Sequence, residues 1–456
     1  MPYIANTDDN AKEMLDVIGC RDFDDLWTKV GINEPYPQFK YMQKAKSEFE
    51  IIKHAKELAS KNRIDIVNFV GAGYYDHIIP SAVSEVTSRS EFYTAYTPYQ
   101  PEASQGTLQA IYEYQTAICR LTGMAVANAS LYDGGTAMCE AMILGCRVTK
   151  KKRVVISETV SPIYREIVYC YCRNLNVEVV EVSCAGVESS IVSLLDAVND
   201  RTACVIVQYP NFFGTVEDWT AFIEEIHQKG AVAICSTYPI SLALLKTPGE
   251  MGFDIVTAEG QSLGIPLSFG GPYLGIMAVN EKCMRKMPGR VCGQTVDKNG
   301  KTGYVLTLQA REQHIRREDA MSNICSNENL CALRALAYMT FVGKEGLRHV
   351  AKLCSAKAVY LKNLLTAIKG VDIVGNVPFF NEFVIKLPYD ADELVQKLID
   401  KGYAPGFPLG HYYETRKNQL LVSVTEKRTK EEMKGLTNAM EAVPWNQCRT
   451  PFFSEF

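Results

Sequence analysis

Between about Asp65 and Val279 the chain alternates short, largely apolar β-branched runs with longer amphipathic stretches. Val154 to Ile156, Val177 to Val182, Cys204 to Val207, Ala231 to Cys235, Ile255 to Val256 and Gly275 to Val279 read as buried strands. Ser189 to Asn199 and Glu217 to Lys229 read as helices between them. A strand that is apolar on both faces must be covered on both, and strand–helix alternation does this with right-handed crossovers. The expected core is therefore a large, mostly parallel sheet in an α/β/α layer.

The ends of the chain follow other patterns. Met42, Ala45, Phe49, Ile52 and Ala55 recur at three- and four-residue steps, which predicts a helix with one apolar stripe ending near Lys61–Asn62. Such an arm packs on its own domain or on another chain. After about Asn329 come helical stretches at Leu330 to Phe341 and Glu345 to Ile368. Strands at Asp372 to Val374, Glu382 to Leu387 and Leu420 to Val424 follow, with a helix at Ala391 to Lys401. The expected organisation of the 456 residues is an N-terminal helical arm (1–62), a large α/β domain (63–329) and a small C-terminal α+β domain (330–456).

The formal net charge of −4, with no basic stripe, speaks against nucleic-acid binding. The uncharged stretch from Gln261 to Asn280 is broken by glycines and prolines, so no membrane helix is expected there. Met1 to Asn10 has no apolar core and does not read as a signal peptide. The 15 cysteines are odd in number and scattered, and the 6 histidines are dispersed. Free thiols in a reducing, cytoplasmic setting are expected, without a metal site.

Four segments invite a functional reading, each beside a structural one. Gly71-Ala-Gly73-Tyr-Tyr-Asp76 begins like a dinucleotide loop, but Asp76 stands at the third glycine position and a tight turn is the default. Asp133-Gly-Gly-Thr136 opens a helix, either as an anion cradle or as a helix capped by Asp133. Thr94 to Gly106 gathers Tyr96, Tyr99, Gln100, Glu102 and Gln105 in a proline-stiffened loop, suited to a polar pocket or to a subunit contact. Gln309 to Asn323 concentrates Arg311, His314, Arg316 and Arg317 with three carboxylates, as a self-neutralising helix start or as an arginine site for a carboxylate.

A large parallel-sheet domain followed by a small α+β domain is the outline of fold-type I pyridoxal-phosphate (PLP) enzymes, although outline alone does not assign function. Gly71 to His77, Tyr96 to Gly106, Tyr132 to Ala137, Met287 to Arg290, Gln309 to Asn323 and Val424 to Thr429 give a sharper pointer. Across about Tyr36 to Leu436 the chain resembles the P-protein family of the glycine cleavage system, glycine dehydrogenase (decarboxylating), and within it the subunit 1, or alpha-type, chains. The resemblance implies a subunit that pairs with a PLP-bearing beta-type chain in an α2β2 assembly. That assembly decarboxylates glycine and passes the aminomethyl group to the lipoyl arm of H-protein.

The same resemblance locates the cofactor contacts. Gln261 stands where the family's PLP-bearing chain has its Schiff-base lysine, and Ser236 where an aspartate would face the ring nitrogen. With Asp133 at the phosphate corner, all three contacts are expected to be lost together, and Lys246 lies on the wrong side of the motif. The expectation is a chain with no catalytic residue of its own that contributes walls to a shared pocket. Tyr96, Tyr99, Gln100, Glu102 and Gln105 come first. His77 and the Arg311/His314 cluster come second, to orient glycine's carboxylate or the lipoyl arm. Competing readings are a self-sufficient PLP enzyme of the aminotransferase or desulfurase kind, and a non-catalytic regulatory partner.

Overall fold

The computed structural model describes residues 6–34, 41, 45–320, 322, 324 and 327–443. Tyr36, Met42, Met321, Asn323 and the segments 1–5 and 444–456 lie outside the described residues. The chain forms two compact units, Met1–Ile64 and Asp65–Phe456.

The first unit carries α1 (Asp8–Ile18), α2 (Phe23–Lys29) and α3 (Glu48–Ala59). Of the described stripe residues, Phe49, Ile52 and Ala55 lie on α3 and Ala45 precedes it. The start is set by a capping box: Ser47 Oγ accepts the Glu50 N–H at 3.3 Å, and the Glu50 carboxylate accepts the Ser47 N–H at 2.8 Å. Phe49, Ile51, Ile52 and Leu58 on α3 are exposed.

In the second unit, among the described residues, seven strands form the main sheet. They are β1 (Val126–Ala127), β2 (Arg153–Ser157), β3 (Glu178–Val182), β4 (Thr202–Tyr209), β5 (Val232–Thr237), β6 (Ile255–Glu259) and β7 (Gly275–Val279). Their spatial order is β1-β7-β6-β5-β4-β2-β3. The five strands from β3 to β6 in that order are parallel, while β7 and β1 close one edge antiparallel. Every residue of β2, β5, β6 and β7 is buried, as the unbroken apolar runs require.

Alternation sorts the side chains onto two faces. Ile206, Ile234 and Ile255 pack with α5 (Gly134–Thr149) and α6 (Pro162–Leu175). Val205, Cys235 and Val256 pack with α4 (Gln105–Thr122) and α7 (Asn329–Leu365). The two helices expected after Asn329 run on as α7, broken at Gly343, whose φ of 66° and ψ of 176° leave the helical region.

Beyond α7 an antiparallel sheet is ordered Asp372–Ile373, Glu382–Lys386, Gln419–Ser423, Phe407–Pro408. It packs against the helices Ala391–Ile399 and Lys430–Glu441. A hairpin of β8 (Val291–Val296) and β9 (Thr302–Thr307) follows the main sheet. Among the described residues no helix is long and apolar enough to cross a membrane.

Candidate functional site

The carboxyl ends of β5 and β6, the start of α5 and the loop 71–78 converge at the place where open α/β sheets hold ligands. Gln261, two residues past β6, is 2 % exposed. Its Oε1 accepts the Tyr75 N–H at 2.9 Å, and its Nε2 donates to the Tyr75 carbonyl at 3.0 Å and the Ile265 carbonyl at 2.8 Å. The carboxamide thus pairs with the Tyr75 backbone as a strand neighbour would, and both its N–H groups are engaged. Lys246 points elsewhere, is exposed, and donates to Thr220 Oγ1 at 2.6 Å.

The amino end of α5 is closed by carboxylates. Asp133 Oδ1 accepts the Gly135 and Thr136 N–H groups, each at 2.9 Å, and its Oδ2 accepts the Thr136 hydroxyl at 2.9 Å. The remaining first-turn donor, Gly134 N–H, reaches Glu259 Oε2 at 2.9 Å. The capped-helix reading of Asp133 is therefore the one realised. Two side-chain anions stand where a free helix terminus would attract a phosphate.

Glu259 Oε1 also accepts the Gln261 N–H at 2.9 Å and the Leu274 N–H at 3.1 Å. Burial pushes this carboxyl up to about 7 against the three N–H donors, and the nearby Asp133 charge acts in the same upward direction.

Across the site, Glu382 Oε2 accepts the Tyr75 hydroxyl and its Oε1 the Ala72 N–H, both at 2.7 Å. Burial pushes it, too, up to about 7 against these two bonds. The approach is close enough that a Cβ on Gly71 would stand 2.1 Å from Glu382 Oε1. Ser236, at the end of β5, is buried and lines a cavity of about 30 Å³ with Tyr75, Tyr164, Gln208, Glu259 and Glu382. Ligand pockets run to about 300–1,000 Å³, whereas this space suits an ordered water or two. The residues present do not fit a pyridine ring and its phosphate.

His77 is buried, with Nδ1 2.7 Å from Glu426 Oε2 and Nε2 on the Tyr238 hydroxyl. Glu426 Oε1 accepts the Ile78 N–H at 2.7 Å. Burial pushes the Glu426 carboxyl up, but the His77 bond and charge and the backbone donors more than reverse it, leaving it below its ordinary value. Asp76 pairs with Lys427 at 2.8 Å and Arg428 at 3.1 Å, and its carbonyl accepts the Thr425 hydroxyl at 2.7 Å. Two sequence motifs, Gly71 to His77 and Val424 to Thr429, thus form one knot. Cys354 Sγ joins it at 3.5 Å from Glu426 Oε2.

The Tyr96 to Gln105 loop lies apart from this knot. Tyr96, Gln100, Glu102 and Gln105 are exposed and Tyr99 is half-exposed. Gln105 pairs with the Tyr304 backbone through two bonds of 2.9 Å. The Tyr99 hydroxyl accepts from Arg290 Nη2 at 2.7 Å, and the guanidinium carbon lies 5.1 Å from the ring centroid. His314 meets the same ring edge-on at 6.4 Å. Arg311 is buried on two carbonyls, Leu308 and Gly289, each at 2.9 Å, and not on a carboxylate. The self-neutralising reading therefore does not describe Arg311.

The structure groups Gln261, Ser236 and His77 around the loop 71–78, and Tyr99, Arg311 and His314 around Arg290. Glu259 and Glu382 escaped the sequence reading, while Tyr75 and Arg290 stood in quoted motifs without being singled out. A carboxylate ending the otherwise apolar run Ile255–Glu259 was the available signal for one of them.

The model of the glycine cleavage system P-protein family matches residues 1–440. A curated relative from Oleidesulfovibrio alaskensis, "Probable glycine dehydrogenase (decarboxylating) subunit 1", is 52% identical over 95% of this chain and 98% of its own length. A crystal structure of glycine decarboxylase (P-protein) of the glycine cleavage system, in inhibitor-bound form, superposes with a TM-score of 0.89. That chain is 37% identical, and the match covers 97% of this chain and 99% of that one. A sphingosine-1-phosphate lyase from Burkholderia pseudomallei has a TM-score of 0.64 at 13% identity, covering 91% of this chain and 93% of its own, and shares the fold alone.

Two outcomes follow from the buried polar groups. Gln261→Leu leaves the Tyr75 N–H and two carbonyls without partners, so denaturant unfolding should show a loss of about 3 kcal/mol. Unchanged stability would mean that the clamp does not form. Glu259 and Glu382 have ordinary values of 4.5 and folded values of about 7. Between those pH values the folded chain holds more protons than the unfolded chain, so these groups make stability fall as pH rises to about 7 and level off above. The span is on the order of 3 kcal/mol per carboxyl. Melting temperature against pH should fall less steeply over this window in Glu259→Gln and in Glu382→Gln than in the parent chain.

Proposed function

Because the chain belongs to the glycine cleavage system P-protein family, we propose that it is subunit 1 of a glycine dehydrogenase (decarboxylating) and holds no cofactor itself. In this reading a beta-type sister subunit carries the PLP, the two pair as α2β2, and the assembly decarboxylates glycine. The aminomethyl group then passes to the lipoyl group of H-protein. The observation that carries the division of labour is the Gln261 carboxamide, saturated by Tyr75 and Ile265 where a covalent lysine anchor would project. The carboxylates of Asp133 and Glu259 on the α5 donors, and the small residual cavity beside Ser236, support it independently.

What this chain contributes is shape and polarity around the sister subunit's reacting centre. Tyr96, Tyr99, Gln100 and Glu102 form a wall of that shared pocket, and Gln105 anchors the loop to the β8–β9 hairpin. Tyr99 is oriented by Arg290, and His314 abuts its ring. His77 has both ring nitrogens bonded inside the chain, so its part is to hold the loop 71–78 in place. Arg311 is likewise held from within, by the Leu308 and Gly289 carbonyls.

The purified full-length chain treated with PLP and borohydride should retain no covalent label, and adding the sister chain should yield glycine–bicarbonate exchange. A label lost on substitution of one lysine would replace this reading with a self-sufficient PLP enzyme. A stable pair whose exchange ignores every substitution in the Tyr96 to Gln105 loop would favour a regulatory partner. Gln261→Lys should also remain unlabelled, because Asp133 and Glu259 still occupy the α5 donors. In the assembled pair, Tyr99→Phe removes a charge-assisted hydrogen bond, so exchange kcat/KM should fall by about tenfold, roughly 1.4 kcal/mol.

A further inference from the structure

A cavity of about 590 Å³ lies where α4, the turn Pro239–Ala243 and the break in α7 meet. Nothing in the function proposed above uses it. Its volume falls within the range of ligand pockets, against about 30 Å³ beside Ser236. The helices explain how it arises. α4, the turn and α7 pack on one another. At Gly343 the chain then takes φ 66° and ψ 176°, a conformation essentially confined to glycine. A Cβ there would meet nothing within 4 Å, so the glycine answers a backbone requirement and not crowding.

Floor and rim differ in chemistry. Leu242 and Leu347 are buried and Leu121 and Met339 half-buried, which gives the cavity an apolar floor. On the rim, Arg120 stands on α4, and Lys344 and Arg348 stand one turn apart on a single face of α7. All three are exposed, and among the described residues none forms an ion pair and no Asp or Glu lines the cavity. Thr247, the other polar lining side chain, is already engaged, its hydroxyl donating to Glu250 at 3.0 Å. Three like charges at one mouth repel one another, and an anion between them relieves this with charge-assisted hydrogen bonds. The floor gains in turn from an apolar body that displaces water. A simple anion answers only the rim, a neutral amphiphile only the floor, and a cation meets repulsion.

We propose that this cavity binds a medium-chain carboxylate, its hydrocarbon on Leu121, Leu242, Met339 and Leu347 and its carboxylate among Arg120, Lys344 and Arg348. The inference rests on the cavity alone and not on the function proposed above. Such a ligand touches α4 and α7 on both sides of the break, and beyond the break α7 carries Leu361 and Leu365 into the C-terminal core. Occupancy therefore braces the break at Gly343.

The test is titration calorimetry of octanoate, below its micellar range, into the full-length chain. Butyrate, octyl glucoside and inorganic phosphate are the comparison probes. Octanoate should bind saturably, and each comparison probe roughly tenfold or more weakly. Arg120→Gln, Lys344→Gln and Arg348→Gln should each weaken octanoate about threefold, and their combination roughly tenfold or more. Added salt should weaken octanoate on the parent chain and have little effect on the triple variant. Ala117→Phe, which sets a ring into the cavity from α4, should weaken octanoate roughly tenfold. Melting curves establish that each variant is folded, and the charge variants, all at exposed positions, decide the matter if Ala117→Phe is not. Absence of saturable octanoate binding overturns the proposal, as does binding indifferent to the triple variant, or octyl glucoside or phosphate binding as tightly as octanoate. Loss of octanoate binding on adding the sister chain also overturns it, because the cavity is then part of a subunit contact. The titration of the chain by itself stands whether or not a sister subunit pairs with it, so failure of this site and failure of the proposed function remain distinguishable.

Discussion

The bond pattern of one carboxamide sets the character of the whole site. Gln261 must accept from the Tyr75 N–H and donate twice at once, to Tyr75 and to Ile265. Among long side chains only a neutral amide offers both functions in that arrangement. A lysine ammonium has donors but no acceptor, and a glutamate has acceptors but no donor. The clamp and an amine nucleophile are therefore mutually exclusive at this position. Through the clamp the loop 71–78 is fixed to the end of the main sheet. From there Tyr75 reaches Glu382 in the antiparallel sheet, and His77 reaches Glu426.

Filling the rest of the site at the start of α5 obeys the same accounting of polar groups. A helix amino end leaves donors that must be answered by a ligand, water or side chain. Here Asp133 takes two and Glu259 takes the third. The arrangement brings two carboxylates near each other, and the resulting repulsion adds to the burial that raises Glu259. The α5 dipole and the three backbone donors on Glu259 offset that cost. The fold thus keeps its sheet end closed and nearly full, which a bare vacancy in a packed interior would not allow without loss of stability.

Much of the architecture was legible because it depends on local chemistry. Runs apolar on both faces announced β4 to β7, Asp-Gly-Gly-Thr announced a helix start with a cap as one of two readings, and the gap between the two helical stretches after Asn329 falls at the break in α7. The start of α3 is set by an equally local feature that the apolar stripe does not mark, the Ser47–Glu50 capping box. The site was less legible because its partners are remote in the chain. Tyr75 and Gln261 are 186 residues apart, Gly134 and Glu259 are 125 apart, and His77 and Glu426 are 349 apart. No periodicity encodes such pairs. The arginine run after Gln309 looked self-neutralising because its charges balance in sequence, but Arg311 turns inward and bonds to carbonyls, not to a carboxylate.

Arg290 and Arg311 tie remote segments together in a way that composition could never reveal: Arg290 donates to the Tyr99 hydroxyl, and Arg311 to the Leu308 and Gly289 carbonyls. Around the loop 71–78, three carboxyl groups meet fixed partners: half-buried Asp76 has Lys427 and Arg428, Glu426 has His77, and Glu382 has Tyr75. Glu312 is adjacent in sequence to Arg311, yet it forms no ion pair with either arginine. Buried charges held apart carry a desolvation cost, which the carbonyls on Arg311 and the Tyr99 hydroxyl on Arg290 offset in part.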